Sequence, residues 1–102
     1  MRTLRITFLI VLLQSCVAEA YAIEYSATLA QPVAAEKEYV ANGNIWRCKG
    51  ETCFLISPPV DAASLRSCSA LSRQAGALRA YGKVGHVLSA EDLTKCNEHA
   101  RQ

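Results

Sequence analysis

Cysteine is the residue of this chain with the most evident capacity for chemistry, and its five copies are Cys16, Cys48, Cys53, Cys68 and Cys96. Cysteine thiols form disulfides, ligate zinc or exchange with other thiols in redox catalysis. Zinc sites usually hold cysteines in C-x2-C pairs, and thiol oxidoreductases carry C-x-x-C at the start of a helix. Here the last four cysteines follow as C-x4-C and then at intervals of 15 and 28 residues. This spacing favours two structural disulfides over a metal site or a redox centre.

Four cysteines allow three pairings, and we favour Cys48–Cys53 together with Cys68–Cys96. The four residues between Cys48 and Cys53 include Gly50, and such a connection folds two short strands into a hairpin with its ends opposite each other. Cys68 and Cys96 each fall on a predicted helix, so their bridge would join the two helices. In the chain-entropy model the short loop contributes about 2 kcal/mol and the long loop about 3.5 kcal/mol.

The N-terminal residues 1–22 have the pattern of a secretory signal peptide. Arg2 and Arg5 supply positive charge, a short apolar run follows, and two A-x-A sites end at Ala20 and Ala22. The apolar run is far shorter than the roughly 20 residues that span a bilayer. The pattern predicts cleavage after Ala22, with Ala20 as the earlier alternative, and export to the periplasm.

Cys16 offers a competing route of processing. Residues 13–16 resemble a bacterial lipobox, in which the cysteine is acylated and becomes the new N-terminus. Gln14 is not a favoured residue in that motif, and the downstream A-x-A sites compete with it. Lipidation at Cys16 would tether the mature protein to a membrane, whereas cleavage after Ala22 would release a soluble domain.

Beyond the signal peptide the chain predicts one small, disulfide-stapled α+β domain, with a short antiparallel sheet and about two helices. We assign residues 23–38 to an N-terminal arm or linker and 39–102 to the domain, although the apolar alternation from Tyr25 to Leu29 also suits a strand. Trp46 lies among strand residues beside a predicted disulfide and is expected in the core. Short strands are predicted at 39–41, 44–48, 53–57, 77–81 and 86–88.

Two helices are predicted in the second half of the chain. The first spans 61–75, with Asp61 as its N-cap and Gly76 just past its end. Its buried face would carry Leu65, Cys68, Leu71 and Ala75. The second begins at Ser89 with an S-x-x-D variant of the capping box, and it places Leu93 and Cys96 on one face.

No residue of the chain is predicted to be catalytic. His86 and His99 are the only histidines and belong to no H-x-x-x-H motif. No serine lies in G-x-S-x-G or S-x-x-K, and neither G-x-G-x-x-G nor a P-loop occurs. The adjacent Glu91 and Asp92 suit the start of a helix better than acid–base catalysis. We expect no enzyme activity, no cofactor and no metal.

Basic residues form the most notable charge pattern: Arg47, Lys49, Arg66, Arg73, Arg79 and Lys83. Arg66 and Arg73 are seven residues apart and share a helix face. A basic patch would suit an anionic partner in the cell envelope. A net charge of +2, which falls to +1 when two arginines and one glutamate leave with the signal peptide, fits a solvated surface better. The same small charge excludes a dedicated nucleic-acid-binding protein.

The cysteine pattern also carries a family resemblance. Residues 45–53 (I-W-R-C-x-G-x-x-C), 68–76 (C-x-x-L-x-R-x-x-G) and 88–97 (L-S-A-x-x-L-x-K-C-N) resemble a family of short exported alphaproteobacterial proteins, catalogued as hypothetical and first named from a Caulobacter chain. Two places depart from that family: residues 58–66 lack its arginine-proline approach, and Tyr81 replaces a phenylalanine. The resemblance implies an envelope protein and brings no activity, substrate or catalytic residue.

These features predict an exported cell-envelope protein that acts as a non-catalytic binding or structural module. Its partner would be an envelope protein or a glycan, and it would meet a membrane only if Cys16 is lipidated. Two alternatives stay open, which are a thiol-redox protein based on the four later cysteines and a membrane-tethered lipoprotein acylated at Cys16.

Overall fold

The computed structural model describes residues 25–102, and the predicted signal peptide with Cys16, Ala20 and Ala22 lies outside the described residues. The described elements are β1 (Ser26–Leu29), β2 (Lys37–Ala41), β3 (Asn44–Lys49), β4 (Thr52–Leu55), α1 (Leu65–Ala75), β5 (Leu78–Lys83), β6 (His86–Val87) and α2 (Ala90–Cys96). The strands form one antiparallel sheet in the order β2-β3-β4-β1-β5-β6. The predicted α+β class is therefore confirmed.

Strand β1 lies inside the sheet, where it pairs with β4 on one side and β5 on the other. Ala27 and Leu29 are at most 1% exposed, and the residues that alternate with them face the opposite side of the sheet. Burial of these side chains and pairing on both edges hold the segment in place. The structured domain therefore includes β1 and the start of β2, which the sequence pattern assigned to an arm or linker at 23–38.

Tight turns set the register of the meander from β2 to β4. Asn42 and Gly43 have φ angles of 52° and 82°, the left-handed values that a type I′ turn requires. They join β2 to β3 with Ala41 opposite Asn44. A second two-residue turn joins β3 to β4 and has Gly50 at a φ of 61°. The hairpin predicted around Gly50 is confirmed.

The two helices pack on one face of the sheet and bury the core beneath them. Its largest fully buried side chains include Trp46, Tyr81, Leu29 and Leu71. The rings of Trp46 and Tyr81 lie 5.6 Å apart between centroids at an angle of 45°. The indole N–H of Trp46 has no hydrogen-bond partner among the described residues. The predicted place of Trp46 in the core is confirmed.

Helix α1 begins four residues later than predicted. Its N-cap is Ser64, whose hydroxyl accepts a hydrogen bond from the N–H of Ser67 at 3.1 Å. Asp61 lies in the preceding loop at a φ of 52°, and its carbonyl accepts bonds from the hydroxyls of Ser64 and Ser67. The prediction that Asp61 is the N-cap is therefore wrong, because its left-handed backbone turns the chain before the helix starts. Ser89 caps α2 as predicted, accepting from the N–H of Asp92 at 3.1 Å.

Candidate functional site

The four described cysteines form the two disulfides that their spacing favours. Cys48 and Cys53 lie opposite each other on β3 and β4, with Cα atoms 4.0 Å apart. Cys68 on α1 and Cys96 at the end of α2 have Cα atoms 5.6 Å apart. One bridge closes a hairpin, and the other, the helix-joining disulfide, ties α1 to α2.

Both disulfides are buried, with each of their cysteines at most 1% exposed. Thiol–disulfide exchange requires an attacking thiolate to reach one of the two sulfurs, so reactive cysteines are partly exposed. Burial of this kind is typical of structural cross-links. It favours the structural role of the four cysteines over the redox alternative.

The two arginines on the sheet are paired with acidic side chains. Arg47 donates to the carboxylate of Glu38 at 2.6 Å, and this hydrogen bond raises the pKa of the guanidinium. Arg79 pairs with Glu51. These two arginines lie on the sheet, so the six basic residues noted in the sequence do not form one patch.

A groove of about 410 Å³ lies between the exposed sides of α1 and the end of α2, and we call it the helix groove. Its walls are formed by Leu65, Arg66, Ser69, Arg73, Lys95, Glu98 and His99. The sequence places Arg66 and Arg73 on one helix face, and the structure brings both into this groove. Lys95 and His99 were not predicted to join them. They do so because the helix-joining disulfide holds α2 beside α1.

The helix groove carries more positive than negative charge. Arg66, Arg73 and Lys95 line it with one carboxylate, that of Glu98. Arg66 lies 3.6 Å from the carboxylate of Asp61. Arg73 and Lys95 form no salt bridge within the part of the chain that the structure describes. The groove therefore presents two uncompensated cations, an arrangement that can bind an anionic group.

A second surface lies on the sheet face opposite the helices. Val40, Phe54 and Ile56 are 62%, 43% and 45% exposed there. A shallow depression is lined by Glu36, Arg47, Lys49, Thr52, Phe54 and Ile56. The signal for it is the alternation along β4, where Phe54 is exposed between the buried Cys53 and Leu55. Exposed apolar groups of this kind are common at contact surfaces.

The histidines and the acidic pair singled out in the sequence do not lie together at one site. His86 is exposed on β6, while His99 follows α2 and lines the helix groove. Glu91 and Asp92 occupy the first turn of α2, where negative charge suits the helix dipole. Within residues 25–102 no three His, Cys, Asp or Glu side chains are grouped to hold a metal ion. No helix of that same range has the length and apolar character to cross a membrane.

The fold and its cross-links define a small α+β domain stapled by two disulfides. The chain belongs to DUF8200, a family of unknown function whose model matches residues 7–98. No curated protein and no solved structure matches the chain. Membership of a family without an assigned activity is thus confirmed, and a source in alphaproteobacteria stays a prediction.

Proposed function

We propose that the protein is an exported, non-catalytic binding module of the bacterial cell envelope. The helix-joining disulfide is the observation that carries this proposal, because it holds together the two helices whose exposed sides form the helix groove. A groove between two cross-linked helices loses less backbone freedom when a ligand binds than a groove between helices that can move apart.

Two separate features support export. Disulfides persist in oxidising compartments such as the periplasm, and the two bridges use all four cysteines of the described residues. Residues 1–22 have the pattern of a signal peptide. The resemblance to exported alphaproteobacterial proteins agrees with this location. The proposed site of action is the periplasm.

Two features support a binding role. The core of a small domain contributes little net stability, and the two disulfides add to it through the unfolded state. A chain stabilised in this way does not need every surface charge for a salt bridge of its own. Among the described residues, Arg73 and Lys95 form no salt bridge. The proposed partner is an anionic envelope molecule, either a protein or a glycan.

Intact mass after production in an exporting host tests the compartment. We expect a chain that starts at Ile23 and shows four alkylatable thiols only after reduction. A mass that includes acyl chains on Cys16 would show that the protein is a lipoprotein and not a soluble module. Free thiols in the unreduced protein would contradict the disulfides and restore the redox alternative.

Crosslinking in whole cells tests the binding role. The parent protein and an Arg73→Ala/Lys95→Ala double variant are crosslinked in parallel, and the captured partners are compared. We expect a partner that the parent enriches and the double variant loses. A Lys49→Ala variant removes a cation from β3, outside the helix groove, and should retain the partner. A partner that all three proteins capture equally would contradict a role for the helix groove.

A further inference from the structure

The helix groove contains a set of donors and charges that fits one chemical group closely. We propose that it binds the phosphate group of a phosphomonoester, such as a phosphorylated sugar or a phosphorylated lipid headgroup. This inference rests on the proposed binding function and names the ligand class for the same site.

The positive charge of the groove is available to a ligand. Arg73 and Lys95 have no carboxylate within salt-bridge distance among the described residues, and Arg66 lies at 3.6 Å from Asp61. The arginines of the sheet differ, because Arg47 donates to Glu38 at 2.6 Å. Arg47 and Arg79 on the sheet are therefore paired, whereas Arg73 in the helix groove forms no salt bridge among the described residues.

The groove keeps an excess of positive charge that attracts an anion. Three cations face two carboxylates, that of Glu98 and that of Asp61 beside Arg66, which leaves one positive charge in excess. A phosphomonoester carries a charge between about −1.5 and −2 at pH 7, whereas a carboxylate carries a single negative charge. Two guanidinium groups also supply the forked donors that bind phosphate oxygens in pairs.

The donors also match the number of oxygens. A phosphomonoester has three terminal oxygens that accept hydrogen bonds. Arg66, Arg73 and Lys95 can each donate to one of them, and the Ser69 hydroxyl and the His99 ring add further donors. Leu65 lines the same groove and offers an apolar contact for the group that bears the phosphate.

A disulfide fixes the relative position of the two helices that carry the donors. Arg66 and Arg73 lie on α1, and Lys95 is the residue before Cys96 on α2. The helix-joining disulfide connects Cys96 to Cys68 on α1. The helix segments that carry the cations thus stay side by side without a ligand, which reduces the backbone entropy lost on binding.

A structural role for the same cations is the main alternative. Arg73 and Lys95 each lie in the last turn of their helix, where a positive charge stabilises the helix dipole. A dipole role affects stability and leaves phosphate binding unaffected. Binding and stability are therefore measured on the same variants.

The test is a titration of the purified, oxidised protein with glucose 6-phosphate, followed by NMR at the backbone amides of Ser69, Arg73 and His99. We expect saturable shifts at these amides with a dissociation constant of about 1 mM or lower. Arg73→Ala and Lys95→Ala should each weaken binding about tenfold, because each removes a charged hydrogen bond to the phosphate. Lys49→Ala carries the same change in net charge and should bind like the parent.

The Glu98→Gln variant should change phosphate affinity in the opposite direction to Arg73→Ala and Lys95→Ala. It removes the carboxylate of the groove without changing the shape of the side chain, so phosphate binding should become a few-fold tighter. Absence of saturable shifts up to about 10 mM would overturn the proposal. Equal weakening by Arg73→Ala and Lys49→Ala would overturn it too, because net charge and not the groove would then control binding.

Vesicles distinguish the two sources of the phosphate. Binding to phosphatidic acid vesicles that fails on phosphatidylcholine vesicles and that depends on Arg73 assigns the group to a lipid. Binding of glucose 6-phosphate alone assigns it to a soluble or glycan phosphate. The titration does not depend on export. If the protein proved to be cytoplasmic and still bound glucose 6-phosphate, the proposed envelope location would be wrong and the proposed phosphate site would stand.

Discussion

The side-chain amide of Asn97 pairs with the backbone of Leu78 as a neighbouring strand would. Its Oδ1 accepts from the Leu78 N–H at 2.9 Å, and its Nδ2 donates to the Leu78 carbonyl at 2.8 Å. Asn44 forms the same pair of bonds with Val60, at 2.7 and 2.9 Å. Two asparagines thus satisfy backbone groups that no strand reaches. Because Asn97 follows Cys96, the helix-joining disulfide also places this amide at the start of β5.

Loss of the Asn97 amide should destabilise the protein. Asn97→Ala leaves the N–H and the carbonyl of Leu78 without partners, which we expect to cost about 2 kcal/mol in the free energy of unfolding. Urea unfolding of the oxidised protein measures the change. Glu98→Gln is the neighbouring exposed control and should change stability by less than about 0.5 kcal/mol. A loss for Asn97→Ala as small as that of the control would contradict this role.

The two disulfides should contribute unequally to stability. Replacing Cys68 and Cys96 by alanine opens a loop with a sequence separation of 28, whereas replacing Cys48 and Cys53 opens one of 5. The chain-entropy model predicts losses of about 3.5 and about 2 kcal/mol. Fluorescence of the single tryptophan reports the urea midpoint of each variant. Equal midpoints, or a greater loss at the short loop, would argue against this order.

Gly82 should tolerate a side chain less well than Gly85. Gly82 has a φ of 146°, and a Cβ there would meet the carbonyl oxygen of His86 and lie 2.6 Å from the Cα of Val87. Gly85 has a φ of 86°, and a Cβ there would have no atom within 4 Å beyond its chain neighbours. Gly85→Ala should therefore cost about 1 kcal/mol from backbone strain alone. Gly82→Ala adds a backbone clash and should cost more, and thermal unfolding compares the two.

Tyr81 should make stability depend on pH in the alkaline range. Burial raises the pKa of its hydroxyl, and the charges of Tyr25 and Asp61 raise it further. The unfolded chain releases this proton above about pH 10, whereas the folded protein keeps it. The contribution of Tyr81 to stability is therefore complete below about pH 10 and is lost as the pH rises toward the folded pKa.

Tyr81→Phe tests this pH dependence and one hydrogen bond together. The Tyr81 hydroxyl donates to the carbonyl of Ala62 at 2.6 Å, so the variant should lose about 1 kcal/mol near neutral pH. It should also lose part of the alkaline decline that the parent shows in unfolding curves. A parallel decline in both proteins would exclude Tyr81 as the source. This bond also joins the two places, Tyr81 and residues 58–66, where the chain departs from the resembled family.

Local signals account for the elements that the sequence predicted correctly. Asn42 and Gly43 specify a turn through their own backbone preferences, and Ser89 caps α2 three residues before its partner Asp92. The start of α1 was misplaced because Asp61 and Ser64 are both good caps within one turn. Which of the two residues caps the helix depends on the left-handed backbone of Asp61. The hydroxyls of Ser64 and Ser67 stabilise that backbone by donating to the Asp61 carbonyl.

The sequence by itself predicted the hairpins and the two helices, and among three possible disulfide pairings it favoured the one that the structure shows. These predictions follow from cysteine spacing or from residues a few positions apart. Only the tertiary structure decided that β1 lies between β4 and β5, and that Lys95 and His99 join Arg66 and Arg73 in one groove. These arrangements bring together segments about 25 to 50 residues apart, and their stability comes from burying shared surface. Contacts of that range leave no local pattern in a single sequence, whereas turns, caps and cysteine spacing do.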